Sequence, residues 1–255
     1  MRYIFSRILK IISFFIDKNN YFSYSKSQSE NQENKFILKF HSKFENKNFL
    51  EIGFHWFQFN CIGLIENNFK GFLIDGGGKK NIIIMKLLCF FHNFQVQAKH
   101  LFVDKENISN LVPKQLGILS IDIDGNDFWV LKEIVESKVE IEMIVVEYNA
   151  SLLDKCITVP YDKNFDRHKK HKSGMYHGAS LKAYIKLLSK HNYCLVKTIG
   201  GINAFFVKQK LLSKFNLVEI SFNEAYEENT LRNKWSNTSA KDQFRLISEL
   251  EYLEL

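Results

Sequence analysis

Acidic side chains close a series of short apolar segments in this sequence. Five segments have the length and apolar content of buried strands, and a carboxylate ends or follows each one. A carboxylate at the end of a buried strand costs free energy unless it takes part in binding or chemistry. If the strands are parallel, their carboxyl ends share one rim of the sheet. The acids predicted to line this rim are Glu51, Asp75, Asp104, Asp122, Asp124 and Glu147.

The segments that carry these acids alternate with stretches of helical periodicity. Near-continuous apolar strands that alternate with helices are typical of parallel sheets covered on both faces. The pattern predicts an α/β, Rossmann-like fold with a mostly parallel, doubly wound sheet and a C-terminal antiparallel hairpin. The predicted strands cover 49–53, 71–75, 100–103, 117–124, 141–147, 193–198 and 204–207, and the predicted helices cover 59–67, 79–91, 128–138 and 180–191.

Gly53 and Asp75 indicate a site for a nucleoside. A glycine after the first strand lets the backbone approach a ligand closely, and an acid ending the second strand accepts hydrogen bonds from ribose hydroxyls. The segment EIGFHWFQFN has one glycine, so it lacks the G-x-G-x-x-G pattern that cradles a pyrophosphate. This favours S-adenosylmethionine (SAM), a cation, over NAD as the cofactor. NAD stays open as an alternative.

Four blocks of the sequence carry a family resemblance. LSIDIDGNDFWVLKEI (119–134), VVEYNASL (145–152), YHGASLKAYIKLLSKHNYCLV (176–196) and NAFFV (203–207) resemble the FkbM-type SAM-dependent methyltransferases. The opening strand-helix-strand segment is similar to the same family, and the resemblance covers roughly 45–210. The bulky Phe54-His55-Trp56 departs from the small residues usual in the family at that point.

The resemblance implies a class I methyltransferase fold and methyl transfer from SAM to a sugar hydroxyl. It favours a nucleotide-linked capsular or surface-polysaccharide sugar, such as a heptose, or a glycan as the substrate. The candidate cofactor-binding residues are Glu51, Gly53, Asn60, Asp75, Asp104, Asn107 and Asp122. The candidate substrate-binding residues are Tyr148, Asn149, Tyr176 and Asn203, together with Lys169 and Lys170 of a basic run suited to a diphosphate.

Asp124 and His177 are the candidates for the catalytic base. Alternation along a strand would place Asp122 and Asp124 on one face, with one for the cofactor and the other for the base. His177 lies in a loop before a helix, and as the base it would give an apparent pKa near ~6.5. Asp127 is expected to cap the helix that begins near residue 128.

Asp124 and Glu147 are also candidate ligands for a divalent metal. In some related sugar methyltransferases, carboxylates at the ends of the fourth and fifth strands hold such an ion, and Mg²⁺ prefers oxygen ligands. Asn149, the third group nearby, is not an acid. The sequence therefore leaves metal dependence open.

Charge and cysteine content narrow the class of protein. The net charge of +7 is spread along the chain without a basic stripe, which argues against nucleic-acid binding. The four cysteines form no CxxC pair and read as reduced thiols. A cytoplasmic enzyme is expected, with a homo-oligomer left open. The rival classes are a non-catalytic Rossmann-like binding protein, suggested by Phe54-His55-Trp56, and an NAD-dependent sugar-modifying enzyme.

The chain is predicted to have three parts. Residues 1–34 form an N-terminal helix and a polar linker (24–34), residues 35–210 the SAM-binding domain, and residues 211–255 a mostly helical appendage. The N-terminal helix is expected to pack on the domain or on a second subunit, or to contact a membrane surface weakly. Its apolar residues at helical spacing are Ile4, Ile8, Ile11, Ile12 and Phe15, with Arg2, Arg7 and Lys10 among them.

Overall fold

The computed structural model describes residues 2–27 and 31–255. The chain divides into two compact units, Met1–Phe102 and Val103–Leu255. Their boundary falls inside the segment 35–210 that the sequence assigns to a single domain. No helix in the described part of the chain is long and apolar enough to cross a membrane.

The first unit contains three parallel strands, β1 (Asn48–Ile52), β2 (Lys70–Asp75) and β3 (Val96–His100), in the order β3-β2-β1. Buried apolar residues fill β1 and β2 almost continuously, as expected for parallel strands covered on both faces. Strand β3 alternates buried and exposed residues. The elements are α1 (Arg2–Ile16), α2 (Lys18–Lys26), α3 (Asn31–Leu38), β1 (Asn48–Ile52), α4 (Ile62–Glu66), β2 (Lys70–Asp75), α5 (Lys79–His92) and β3 (Val96–His100).

The N-terminal helices are anchored by aromatic side chains of the first unit. The fully buried Tyr21 of α2 donates a hydrogen bond of 2.6 Å to the carbonyl oxygen of Trp56. The ring of Phe14 lies 5.9 Å from the ring of Trp56. The bulky segment after Gly53 therefore holds the N-terminal extension in place. This contact gives the bulky Trp56 a structural role.

The prediction of a polar linker over 24–34 is wrong at both of its ends. Residues 24–26 belong to α2 and residues 31–34 to α3, while 28–30 lie outside the described residues. Asn34 is buried, and its side-chain oxygen accepts a hydrogen bond of 2.9 Å from the backbone N–H of Gly63. The polar composition of this segment predicted a loop, whereas in the structure its Asn34 makes a buried contact between α3 and α4.

The strands of the second unit are β4 (Gln115–Ile121), β5 (Glu140–Glu147), β6 (Ile157–Thr158), β7 (Tyr193–Ile199), β8 (Asn203–Lys208) and β9 (Leu253–Glu254). Four of them lie in the order β4-β5-β8-β7, and β6-β9 form a small separate pair. The pair β4/β5 is parallel, and the pairs β5/β8 and β7/β8 are antiparallel. Its helices are α6 (Asp127–Glu136), α7 (Arg167–Lys170), α8 (Leu181–Ser189), α9 (Leu212–Phe215), α10 (Phe222–Ala225), α11 (Thr230–Ser236) and α12 (Ala240–Ile247).

The predicted fold class is confirmed: an α/β, Rossmann-like fold whose strands are mostly parallel, with a C-terminal antiparallel hairpin. Two strand predictions were misplaced. β3 covers 96–100 instead of 100–103, because its alternating pattern reads as polar. β4 ends at Ile121 instead of residue 124, because the chain turns there into a loop.

The turn of the hairpin supports the C-terminal segment. Gly200 and Gly201 both have positive φ angles, +65° and +66°. A Cβ atom added at Gly201 would overlap the backbone of Glu228 and Asn229, so this segment packs directly on the glycine. Asn229 caps α11 by accepting a hydrogen bond of 2.8 Å from the N–H of Arg232. Gly201 thereby sets the position of α11.

Gly201→Ala is expected to destabilise the protein more than Gly200→Ala. Both substitutions place a side chain in the left-handed region, which costs about 1–2 kcal/mol. A Cβ at Gly200 would meet only Ile202, at 3.9 Å, so Gly200→Ala measures that strain alone. Gly201→Ala adds the overlap with Glu228. Urea unfolding of the two variants measures the difference, and equal free energies of unfolding would contradict the packing described here.

Candidate active site

Glu147 is a buried carboxylate at the carboxyl end of β5. It is 8% exposed, and its Oε2 atom has no hydrogen-bond partner among the described residues. Arg232 Nη2 lies 3.9 Å from Oε1, and His177 Nδ1 lies 4.0 Å from Oε2. Burial, with the nearby charges of Asp124 and Asp127, raises the pKa of Glu147 to about 8. A buried oxygen with spare hydrogen-bonding capacity and a raised proton affinity is suited to accept a proton.

His177 is fully enclosed beside Glu147. Arg232 Nη2 donates a hydrogen bond of 3.1 Å to its Nε2, because a guanidinium has no acceptor atom. The neutral ring therefore carries its proton on Nδ1, which faces Glu147. Burial, followed by the charges of Arg232 and Arg167, lowers the pKa of His177 well below its usual value. The value near ~6.5 expected from the sequence does not describe this environment.

Arg232 connects the C-terminal segment to this site. Its Nη1 donates to the side-chain oxygens of Asn149, at 3.0 Å, and Ser151, at 3.3 Å. The side chain is 14% exposed. Arg232 was not among the predicted site residues, since nothing in the pattern of a polar helical segment separates it from a surface arginine. Asn229 marks the start of α11, but a helix cap does not show which residue of the helix points inward.

Asp124 lies at the outer edge of the cluster that Glu147, His177 and Arg232 form. Its backbone adopts a φ of +58°, and its side chain is 59% exposed. It forms an ion pair with Arg167 Nη1, at the start of α7. The basic run 167–172 thus contributes one arginine to the cluster. Lys169 and Lys170 instead pair with Asp166, at 3.6 Å, and with Asp162, at 2.7 Å.

Asp127 shapes the turn that carries Asp124. Its carboxylate accepts hydrogen bonds from the N–H groups of Ile123, at 2.7 Å, and Gly125, at 2.8 Å. It is buried, and burial raises its pKa to about 6. The prediction that Asp127 caps the helix is therefore wrong: it is the first residue of α6, follows the cap position of Asn126, and bonds backward into the turn.

The predicted alternation of Asp122 and Asp124 on one strand face is also wrong. The strand ends before both residues, and the positive φ of Asp124 breaks the strand geometry. Gly125 is needed beside it, since a Cβ there would overlap the ring of Phe165. In this turn the side chain of Asp124 reaches Arg167. In an extended strand it would have pointed to the same side as the side chain of Asp122.

Three of the predicted substrate-binding residues form hydrogen bonds to the backbone of distant segments. Asn149 Nδ2 donates to the carbonyl oxygens of Met175, at 2.8 Å, and His177, at 2.9 Å. The hydroxyl of Tyr148 donates to the carbonyl of Glu227 at 2.9 Å, and that of Tyr176 to the carbonyl of Glu251. These contacts position the loop of His177 and the C-terminal segment. Asn203, on β8, is the strand partner of Glu147.

Asp124, Glu147 and His177 each direct one potential ligand atom into a common space, within 4.8 Å of one another. The donor set nevertheless does not fit Mg²⁺. Arg167 and Arg232 already balance the two carboxylates. The His177 nitrogen that faces this space carries a proton, so it has no lone pair for an ion. The metal role predicted for Asp124 and Glu147 is not supported by this arrangement.

The first unit holds four of the predicted cofactor residues. Gly53 has a φ of +79°, which requires glycine. Asp75 ends β2, and its carboxylate accepts hydrogen bonds from the N–H groups of Gly77, at 3.1 Å, and Gly78, at 3.0 Å. Glu51 accepts from the N–H groups of Asn60, at 2.7 Å, and Cys61, at 2.9 Å, so it orders the loop after Gly53.

Asp104 and Asn107 bond to each other in a turn of the second unit. The Asp104 carboxylate accepts a 2.9 Å hydrogen bond from the Asn107 N–H, and the Asn107 side chain accepts one of 3.1 Å from the Asp104 N–H. Burial alone would raise the pKa of Asp104, but Lys163, at 3.2 Å, and the backbone N–H groups lower it. Asp122, half-buried after β4, lies between this turn and Asp124 in the sequence.

No family model and no curated protein matches the chain. The predicted FkbM relationship therefore stays a prediction.

Solved structures show distant similarity. WbdD is 12% identical with a TM-score of 0.48, and the match covers 71% of this chain but only 41% of WbdD. An O-methyltransferase from Bacillus cereus bound to SAH is 14% identical (TM-score 0.46; 79% of this chain, 89% of that one). A SAM-dependent methyltransferase from Clostridium acetobutylicum ATCC 824 is 11% identical (TM-score 0.45; 75% and 99%).

Proposed function

We propose that this protein is a SAM-dependent O-methyltransferase that acts on a sugar hydroxyl, with Glu147 as the catalytic base. The observation that carries the proposal is the unpartnered, buried Oε2 atom of Glu147 at the carboxyl end of a parallel strand. Ligands of α/β folds bind beyond these strand ends. The resemblance of the sequence to the FkbM family supports the same reaction class.

SAM supplies an electrophilic methyl group in such a reaction. The substrate oxygen forms a bond to the methyl carbon as the bond from carbon to sulfur breaks, and the hydroxyl proton passes to Glu147 Oε2. The products are the methyl ether and S-adenosylhomocysteine. A carboxylate with a pKa of about 8 is a stronger base than an ordinary one, while it is still partly ionised near neutral pH.

The other groups position Glu147 or neutralise charge. Arg232 lowers the proton affinity of Glu147 and keeps the His177 ring neutral by donating to Nε2. Asp124 and His177, the bases expected from the sequence, are less suited: Asp124 pairs with Arg167, and His177 Nε2 is occupied by Arg232. This proposal therefore moves the base from these two residues to Glu147.

The substrate is proposed to be a nucleotide-linked sugar. Arg167, Lys169 and Lys170 lie on α7, whose first residue pairs with Asp124 of the cluster. Guanidinium and ammonium groups are suited to bind a diphosphate. Both SAM and nucleotide sugars are made in the cytoplasm, which is the compartment we propose for this protein.

Asp75→Ala is expected to weaken SAM binding by about 1–3 kcal/mol, since it removes a charged acceptor from the ribose hydroxyls. Gly77 and Gly78 donate to different oxygens of Asp75, so Asp75→Asn keeps one of these two hydrogen bonds while it removes the charge. Isothermal titration calorimetry with SAM measures both. Unchanged affinity in a folded variant would remove Asp75 from the cofactor site, and tight NAD binding would favour a dehydrogenase or epimerase.

Chelation of divalent metal is expected to leave turnover unchanged, because Arg167 and Arg232 already balance the charges of Asp124 and Glu147. The measurement is kcat after dialysis against EDTA, with and without added Mg²⁺. If EDTA abolishes activity and Mg²⁺ restores it, Asp124 and Glu147 are metal ligands and the base assignment is wrong.

A further inference from the structure

An apolar surface of the first unit is exposed on α1 and α5. Phe90 is 80% exposed and Ile16 79%, far beyond what a buried contact would leave. The two helices touch: the rings of Phe15 and Phe91 are 5.6 Å apart, and His92 Nε2 lies 2.6 Å from the carbonyl oxygen of Phe14. We call this the α1–α5 surface. Its exposed apolar residues are Ile12, Ile16, Ile83, Leu87, Phe90 and Phe91.

Basic residues accompany this surface, and the acid next to it in the sequence is Asp17, which follows Ile16 and caps α2. Neither α1 nor α5 contains an aspartate or a glutamate. Lys79, Lys80 and Lys86 are exposed on α5. Their spacing from Ile83 and Phe90 puts them on the same helix face, because residues three, four and seven apart are neighbours on a helix. The surface is thus both apolar and positively charged.

We propose that the α1–α5 surface binds an anionic lipid bilayer, with both helices lying in the interface. Helices of 15 and 14 residues are too short to span a bilayer and suit this orientation. The aromatic and aliphatic side chains would enter the headgroup region while the lysines meet lipid phosphates. A second copy of the chain fits less well, because it would bring like charges to the same contact.

The test is co-sedimentation of the full chain with vesicles of phosphatidylcholine alone or mixed with phosphatidylglycerol. Binding is expected to the anionic vesicles, to weaken with salt, and to be slight with phosphatidylcholine alone. Replacing Ile83 and Phe90 by serine should abolish it. Trp235→Ser is the matched control, since this residue is 81% exposed on the second unit.

A second variant tests the charge. Each lysine near an anionic surface strengthens binding about fivefold, so replacing Lys79, Lys80 and Lys86 by glutamine should weaken it about 100-fold. A matched variant removes three exposed lysines of the second unit, and it should bind as the unaltered protein does. Those three lysines are Lys190, Lys197 and Lys241.

Several outcomes would overturn the proposal. Equal affinity of the two triple-lysine variants would show that the surface does not recognise anionic lipid, as would absence of sedimentation with the anionic vesicles. Light scattering that shows a dimer, which the Ile83 and Phe90 substitutions convert to a monomer, would assign the surface to a second copy instead. Circular dichroism of each variant confirms that the fold is retained.

Discussion

Glu147→Gln is expected to lower kcat by about 10²–10⁴-fold while SAM affinity stays nearly unchanged. The amide has almost the volume of the carboxylate but cannot take the hydroxyl proton, and a positioned base contributes a factor of this size. The unaltered enzyme should gain activity as pH rises and level off above about 8, where Glu147 becomes ionised. The remaining activity of the variant should lack this rise. Both effects are measured by steady-state kinetics between about pH 6 and 10, a range that extends ~2 pH units to each side of that pKa.

Glu142→Gln is the matched control for this experiment. Glu142 is buried on the same strand, five residues from Glu147, so its side chain leaves the opposite face of the sheet. It lies 4.0 Å from Lys214, away from the His177 cluster. The variant should keep normal kcat. If Glu147→Gln also kept normal kcat while His177→Ala or Asp124→Asn lowered it, the base would be the residue whose substitution lowered kcat.

Arg232→Gln is expected to move the rising limb of the pH profile to higher pH. The guanidinium is one of two cations that lower the pKa of Glu147, so its removal raises that pKa further. Each unit of increase reduces the ionised fraction at neutral pH about tenfold, and kcat there falls by the same factor. Activity should recover at alkaline pH, because the base itself is intact. A merely structural role for Arg232 would lower kcat at every pH.

Arg245→Gln controls for the loss of one positive charge in the C-terminal segment. Arg245 lies on α12 and is 68% exposed, with Asp242 as its partner at 3.0 Å. Its removal should leave the pH profile where it was. A profile of Arg232→Gln that coincides with that of Arg245→Gln would show that Arg232 does not act on Glu147.

The fold was accessible from the sequence because apolar runs and glycines have direct structural consequences. Buried strands such as 141–147 read as continuous apolar segments, and Gly200-Gly201 marked the hairpin turn. The acids at the strand ends followed from the same pattern. Glu147 was therefore predicted as a site residue, but as a metal ligand and not as the base proposed above.

The roles within the site depend on contacts between distant residues, which a single sequence does not display. Arg232 lies 55 residues from His177 along the chain, yet its guanidinium decides which ring nitrogen carries the proton. Burial decides the proton affinity of Glu147, and no pattern around position 147 reports it. Likewise, the polar residues 31–34 gave no sign that Asn34 is buried against Gly63.

The most direct test of the central claim is transfer of an isotope-labelled methyl group from SAM. The full chain is incubated with methyl-labelled SAM and a pool of nucleotide sugars, and the products are separated and analysed by mass spectrometry. The proposed function predicts one sugar that carries the label, formed together with an equal amount of S-adenosylhomocysteine, and formed about 10²–10⁴-fold more slowly by Glu147→Gln. Absence of labelled sugar from the whole pool, in a protein that also fails to bind SAM by calorimetry, would contradict it.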